Sequence, residues 1–146
     1  MLLLGTINTT TQVLTTDDLI NFGQVYRRYD KKNECGYRAF ELGSNSITLQ
    51  HSGIYHLTAT ITFTAPTAGD VIFQLTQNGV ALNGATATET ITTADTEIKT
   101  TTLDYYVLVN KECVLNQVNT IDNIAITLTG VDATIENVIV NITKEV

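Results

Sequence analysis

The side chains that could support catalysis or bind a metal ion are few in this sequence and widely spaced. It contains two histidines, His51 and His56, and two cysteines, Cys35 and Cys113. Because successive side chains of a strand point to opposite faces, two histidines five residues apart on one extended segment cannot share a metal ion. We interpret both histidines as surface or interface residues. A nucleophilic pair of Cys35 with His51 would need the fold to bring them together by chance.

Motifs of known catalytic and metal-binding sites are also missing. The sequence has no Gly-x-Ser-x-Gly, no phosphate-binding loop, no Cys-x-x-Cys and no His-Glu-x-x-His. The adjacent pair Asp17 and Asp18 is typical of a capped turn rather than of a metal site. Calcium stays an alternative at Asp95, Asp122 and Asp132, which fall in predicted loops, although no Asp-x-Asp-x-Asp loop is present. We therefore predict a protein with no enzymatic activity, no cofactor and no metal ion.

The basic side chains are concentrated in one stretch with interleaved aromatic residues. We call this stretch the basic patch, and its members are Tyr26, Arg27, Arg28, Tyr29, Lys31 and Lys32. The whole chain carries 8 Lys and Arg against 15 Asp and Glu, a net charge of -7, which is a poor balance for binding nucleic acid. The patch indicates an attachment or ligand site, a contact with the acidic body of another subunit, or a solvated turn. Tyr26, Tyr29 and Tyr37 would be its platform for a host-surface glycan.

The start of the chain lacks the features of a secretory signal. Its apolar run, residues 1–5, is too short and has no basic start. No window approaches the roughly 20 apolar residues that a membrane-spanning helix needs, so we predict no membrane insertion. Cys35 and Cys113 could pair in the fold, but we expect free thiols, because disulfides are uncommon in proteins that are not secreted.

The elements that carry these residues are predicted to be strands. Threonine supplies 27 of the 146 residues, and its β-branched side chain favours strands over helices. The clearest strand covers 53–64, with apolar residues from Tyr55 to Phe63 on one parity and threonines on the other. Asn78-Gly79 between two apolar runs predicts a type I′ hairpin after a strand at 71–76.

Further short strands follow from the same alternation. They are predicted at 25–29, 37–42, 46–49, 103–109, 113–118, 123–129 and 134–143. Residues 83–102 are predicted to form a long loop with weak strand pairing, extended from about residue 96, and residues 15–18 a single turn. Eight to ten strands and no long helix predict an all-β, antiparallel jelly-roll sandwich.

Several motifs occur together in an order that resembles one family. There is a Gly-x-Tyr strand opening at Gly53, a Phe-Thr-Ala strand close at Phe63, an Asn-Gly hairpin at Asn78 and a final strand at 135–144. Residues 40–146 are similar to the bacterial and phage branch of the jelly rolls related to tumour necrosis factor and the globular heads of complement. This resemblance implies a jelly roll that forms tight homotrimers and has no enzymatic activity. We interpret residues 1–39 as an amino-terminal segment with the first strands and an attachment arm, within one domain overall.

The strand at 103–109 has apolar residues on both faces, which predicts that a partner covers one of them. A subunit interface is therefore predicted, and its residues are Tyr55, His56, Tyr105, Tyr106 and Leu108. The alternative is a monomer with two core layers. Together with the resemblance, these features predict a phage virion structural protein, located in the virion, that decorates the capsid or forms a head-fibre or tail-tip unit. Its partners would be itself and other capsid or tail subunits. The alternative function is a bacterial surface or spore-coat adhesion or glycan-binding domain.

Overall fold

The computed structural model describes residues 1–110 and 122–146, and in this part of the chain all regular structure is β-strand. The strands are β1 (Leu2–Asn8), β2 (Gln12–Leu14), β3 (Gln24–Tyr29), β4 (Phe40–Leu42), β5 (Ile47–Leu49), β6 (Gly53–Thr64), β7 (Gly69–Gln77), β8 (Val80–Ile91), β9 (Lys99–Val109), β10 (Asp122–Gly130) and β11 (Ala133–Lys144). No helix in the described residues is long and apolar enough to cross a bilayer.

The strands form two antiparallel sheets. The six-stranded sheet has the order β3-β1-β11-β6-β9, with β2 also paired to β11, and the five-stranded sheet has the order β4-β5-β10-β7-β8. Most neighbouring strands are distant in sequence, as in the pairing of β1 with β11, whereas β4 with β5 and β7 with β8 are consecutive. The structure is therefore the jelly-roll sandwich that the alternation predicts, and the fold prediction is confirmed.

The inner faces of the two sheets enclose one apolar core. On β6 the inward side chains from Tyr55 to Phe63 are at most 1% exposed, as are those of β7 from Val71 to Leu75. Phe63 and Phe73 meet across the sandwich edge to face, with ring centroids 5.2 Å apart. Such aromatic pairs add about 0.5–1.5 kcal/mol beyond the area that they bury. The bounds of β6 are those predicted from its period of two.

The hairpin between β7 and β8 has the predicted turn. Asn78 and Gly79 both adopt positive φ, 54° and 79°. Two successive residues with positive φ define a type I′ turn, whose twist matches that of the flanking strands.

The prediction of a loop over residues 83–102 is wrong for its first half. β8 continues to Ile91 and pairs with β7 along most of its length. Its inward residues include Ala85, Ala87 and Ile91, all buried. Alanine carries little apolar area, so its alternation with threonine gives a weak sequence signal for a strand. The strand still forms because β7 supplies hydrogen-bond partners for its backbone N–H and C=O groups. The second half of this range was predicted to be extended from about residue 96, and the structure agrees better there, since β9 begins at Lys99.

The amino-terminal segment belongs to the body of the sandwich. β1 lies inside the six-stranded sheet between β3 and β11, with Leu2 and Leu4 buried. The attachment role of residues 1–39 stays a prediction. The turn predicted at 15–18 is present, and the Asp18 carboxylate accepts the Thr15 N–H at 2.8 Å.

One cysteine differs from its prediction. Cys35 is disulfide-bonded, so the expectation of a free thiol is wrong there. The other cysteine of the sequence, Cys113, lies outside the described residues. So do the strand predicted at 113–118, the loop that follows it, and Lys111 of the predicted turn at 110–111.

Candidate self-association face

The outer face of the six-stranded sheet is the side turned away from the core. In-register pairing brings one residue from each of five strands into a row across this face: Tyr29, Leu3, Thr143, His56 and Tyr106. Residues directly opposite each other on neighbouring strands point to the same side. The row places two predicted interface residues, His56 and Tyr106, next to each other.

Large apolar side chains are exposed where β6 and β9 meet on this face. Tyr106 is 60% exposed, Leu108 63% and Ile54 38%, and Ile54 is the register partner of Leu108. We call Ile54, His56, Tyr106 and Leu108 the aromatic end of the outer face. Clustered exposed apolar side chains typically mark an interaction surface. Ile54 was not predicted from the sequence as an interface residue, although it lies on the same face of β6 as His56.

The aromatic end is held in a defined arrangement by His56. Its ring stacks on Tyr106 with centroids 4.5 Å apart and planes 13° apart. Its Nε2 lies 2.6 Å from Oδ1 of Asp104, and its Nδ1 lies 3.9 Å from Oε1 of Glu145. The stacked pair therefore presents a preorganised surface, which reduces the entropy lost when a partner binds.

The other end of the same two strands is different in composition. We call Thr60, Thr62, Thr64, Thr100 and Thr102 the threonine end. Its hydroxyl groups pair across the strands, as in the 3.0 Å contact between Oγ1 of Thr62 and Oγ1 of Thr100. The five threonines carry neither a charge nor a large apolar side chain, and the exposed Ile98 adjoins them just before β9 begins.

Two predicted interface residues face the core instead. Tyr55 is fully buried, packs edge to face on Phe40, and donates its hydroxyl to the His51 carbonyl at 2.7 Å. Burial raises the pKa of the Tyr55 phenol well above its usual value. Tyr105 packs against the core and donates to the Asn83 carbonyl at 2.9 Å. The prediction of Tyr55 as a contact residue is wrong, because it shares the inward parity of β6, and Tyr105 shares that of β9.

The interpretation of His51 as a surface or interface residue is also wrong. It is 8% exposed, and its Nε2 lies 2.7 Å from the Tyr37 carbonyl oxygen. This position lies beneath the surface, where the imidazole satisfies a backbone group.

The basic patch divides into fixed and outward residues. Arg28 turns inward, where it hydrogen-bonds the Phe40 carbonyl and lies 3.4 Å from the buried carboxylate of Asp30. Asp30 also accepts the N–H groups of Lys31 and Ala39 at 2.7 and 2.9 Å. Arg28 and Asp30 therefore fasten β3 to the start of β4, which is a structural role. It leaves Arg27, Lys31 and Lys32 as the exposed cations of the patch.

The tyrosines of the patch also differ from each other. The Tyr26 ring lies over Gly5, and its hydroxyl donates to Oδ1 of Asn141 at 2.5 Å. A Cβ at Gly5 would come within 2.8 Å of this ring, so the glycine makes room for it. Tyr29 is 66% exposed. Tyr26 is thus held across three strands of the outer face, whereas most of the Tyr29 side chain is free in solvent.

Two of the three acidic residues considered for calcium accept hydrogen bonds from turn residues. Asp132 accepts the Thr16 N–H at 3.0 Å, and Asp122 accepts the Asn78 amide at 2.6 Å. Within residues 1–110 and 122–146, no group of three or more His, Cys, Asp or Glu side chains is arranged to hold a metal ion.

By sequence, the chain matches no family model and no curated protein. Its structure, however, resembles several solved structures over almost its whole length. The globular domain of zebrafish complement 1qA protein has a TM-score of 0.66 at 9% identity and covers 100% of this chain and 98% of its own. Eiger TNF from S. frugiperda has a TM-score of 0.63 at 9% identity and covers 99% of this chain and 91% of its own.

A third solved structure shares the fold as well. PRD1 vertex protein P5 has a TM-score of 0.53 at 15% identity and covers 98% of this chain and 96% of its own. The fold is that of the TNF and complement jelly rolls. The resemblance predicted from the sequence is therefore confirmed at the level of the fold.

Proposed function

We propose that this protein is a non-enzymatic structural protein of a phage virion that self-associates as a homotrimer. The observation that carries the proposal is the exposure of Ile54, Tyr106 and Leu108 together on one sheet face. Because these side chains are already partly covered, burying the rest of each is worth about 0.5–2 kcal/mol, so several of them per subunit favour an assembly over the free chain. The homotrimer and its place on a capsid or tail come from the resemblance to jelly-roll assemblies, which the fold shared with PRD1 vertex protein P5 supports.

Sedimentation and a matched pair of variants test the self-association. We expect the 15.9-kDa chain to sediment at three times its own mass at micromolar concentration. Leu108→Asp should weaken the association at least tenfold, because a carboxylate replaces an apolar side chain at the contact. Val13→Asp is the control, since Val13 is 79% exposed and pairs with Thr134 opposite Thr64, at the other end of β6 from Ile54. Equal effects of the two variants, or a monomeric wild type, would contradict the proposed face.

The virion location needs a separate experiment. We expect the polypeptide to co-purify with intact phage particles and to be visible on their surface by electron microscopy. Particles that lack it would refute the virion role and leave the self-association untouched.

A second function is favoured by the exposed Tyr29 beside Arg27. A tyrosine that is 66% exposed can stack on a sugar ring, which suits a bacterial surface or spore-coat adhesion domain with a glycan ligand. Under this alternative, glycan-array binding should be present and should be lost in Tyr29→Ala. Silence on the array, with binding to particles, favours the virion role.

A further inference from the structure

Positively and negatively charged side chains are concentrated at opposite edges of the sandwich. We call residues 24–42, which comprise β3, β4 and their connection, the basic edge. It holds five of the eight Lys and Arg residues against three carboxylates. We call residues 80–109, which comprise β8, β9 and their connection, the acidic edge. It holds four carboxylates and one lysine.

The topology places these two groups on opposite sides. β3 and β9 are the end strands of the six-stranded sheet, and β4 and β8 are the end strands of the other. Arg28 joins β3 to β4 through the Phe40 carbonyl, and Tyr105 joins β9 to β8 through the Asn83 carbonyl. Each edge is therefore a joint surface of both sheets, and the two edges are separated by the width of the sandwich.

The outward groups of each edge determine its charge. On the basic edge, Arg28 and Asp30 neutralise each other within the fold. Arg27 is exposed on β3, and its side chain makes no hydrogen bond or ion pair with the described residues. On the acidic edge, the Asp104 side chain is 57% exposed and adjoins the aromatic end. Lys99 lies 3.3 Å from Glu97 on this edge and offsets part of its negative charge.

We propose that the chain associates head to tail, with the basic edge of one copy against the acidic edge of the next. This inference rests on the proposed self-association and adds the pairing of surfaces. Two different surfaces of one chain form a heterologous contact, which closes into a ring when the rotation between copies permits it. The partner is a second copy because the same chain supplies both charges, and because the aromatic end lies next to the acidic edge on β9. Opposite charges at the rim of a contact set its register and speed its formation.

Two neutralising substitutions provide a matched test. Arg27→Gln and Lys99→Gln each remove one positive charge, so their effect on the net charge is the same. Arg27→Gln should weaken self-association about two- to fivefold at low salt, which is the range for an exposed ion pair. Lys99→Gln should leave the association unchanged or strengthen it up to about twofold, because it makes the acidic edge more negative. Raising the salt should reduce both differences, since the Debye length is about 8 Å at 0.15 M.

A charge exchange provides an independent test. Arg27→Glu and Asp104→Lys should each weaken the association, because each places like charges at the contact. The double variant should recover part of the lost affinity, since Asp104→Lys also removes the contact with His56. Circular dichroism and the melting temperature establish that each variant is folded, and Arg27→Gln carries the test where Asp104→Lys disturbs the His56 ring.

The outcomes separate this inference from the proposed function. A wild-type chain that stays monomeric refutes both. A chain that self-associates, but responds equally to Arg27→Gln and Lys99→Gln and shows no recovery in the double variant, refutes the pairing of edges alone. In that case Leu108→Asp would still disrupt the assembly.

Discussion

The aromatic end and the threonine end of the outer face lie on the same two strands, yet they differ in what they can do. Both have the same backbone pairing of β6 with β9 and both rest on the same core. At one end, Tyr106 and Leu108 expose most of their surface, while at the other Thr62 and Thr100 bond to each other. The comparison teaches that the exposed large side chains of β6 and β9 on this face cluster at one end, because threonine fills the strand positions at the other end without adding charge or apolar area.

The largest expected effect comes from the core that both ends share. Phe63 is fully buried on β6 below the threonine end and meets Phe73 at 5.2 Å. Phe63→Ala should lower the free energy of unfolding by about 3–5 kcal/mol, through lost burial and the cavity that remains. Thr62→Ala, one position away on the outer face, should cost no more than about 1 kcal/mol. Urea denaturation of both variants measures the difference, and similar losses would show that the two faces of β6 are not distinct.

The second-largest expected effect is the difference in self-association between a substitution at the aromatic end of β9 and one at its threonine end. Tyr106→Asp and Thr102→Asp add the same charge on the same face, four residues apart. Tyr106→Asp should weaken self-association more than tenfold because it removes the stacked pair with His56. Thr102→Asp should change it less than about threefold. Sedimentation equilibrium at matched concentrations measures both, and a stronger effect at Thr102 would move the contact to the threonine end.

The smallest effect concerns the connection that leads into the threonine end. The N–H groups of Thr93 and Thr92 donate to the Glu97 carboxylate and lower its pKa from 4.5 to about 2. Because the folded-state pKa lies below the usual value, this carboxylate stabilises the folded chain above about pH 4.5. The stabilisation is lost as the pH falls from 4.5 toward 2. Glu97→Gln should therefore lower the melting temperature slightly at pH 7 and not at pH 2.

Asp95→Asn is the control for that substitution. Asp95 lies in the same connection and has a φ of 65°, which asparagine also tolerates. It should leave the pH dependence of the melting temperature as in the wild type. If Asp95→Asn lowers the melting temperature at pH 7 as much as Glu97→Gln does, the loss of one negative charge would explain the change, and the hydrogen bonds of Glu97 would not.

Sequence patterns predicted the long, strongly alternating strands well. The run of threonines opposite apolar residues gave the bounds of β6, and Asn78-Gly79 gave the hairpin, since only a type I′ turn suits two positive φ values there. The second half of β8 was missed because Ala85 and Ala87 have too little apolar area to stand out. Tyr55 was placed at an interface although its own parity with Leu57 indicates the core.

The sequence by itself determined which side chains of each long strand share a face, because the period of two depends only on the local backbone. It also determined the fold class, since a threonine-rich chain with one proline and regular alternation favours strands. Only the tertiary structure decided which outward residues become neighbours. His56 meets Tyr106 through the register of β6 with β9, and the basic and acidic stretches become opposite edges through the strand order. Register and order arise from pairing between distant segments, and local patterns do not contain that information.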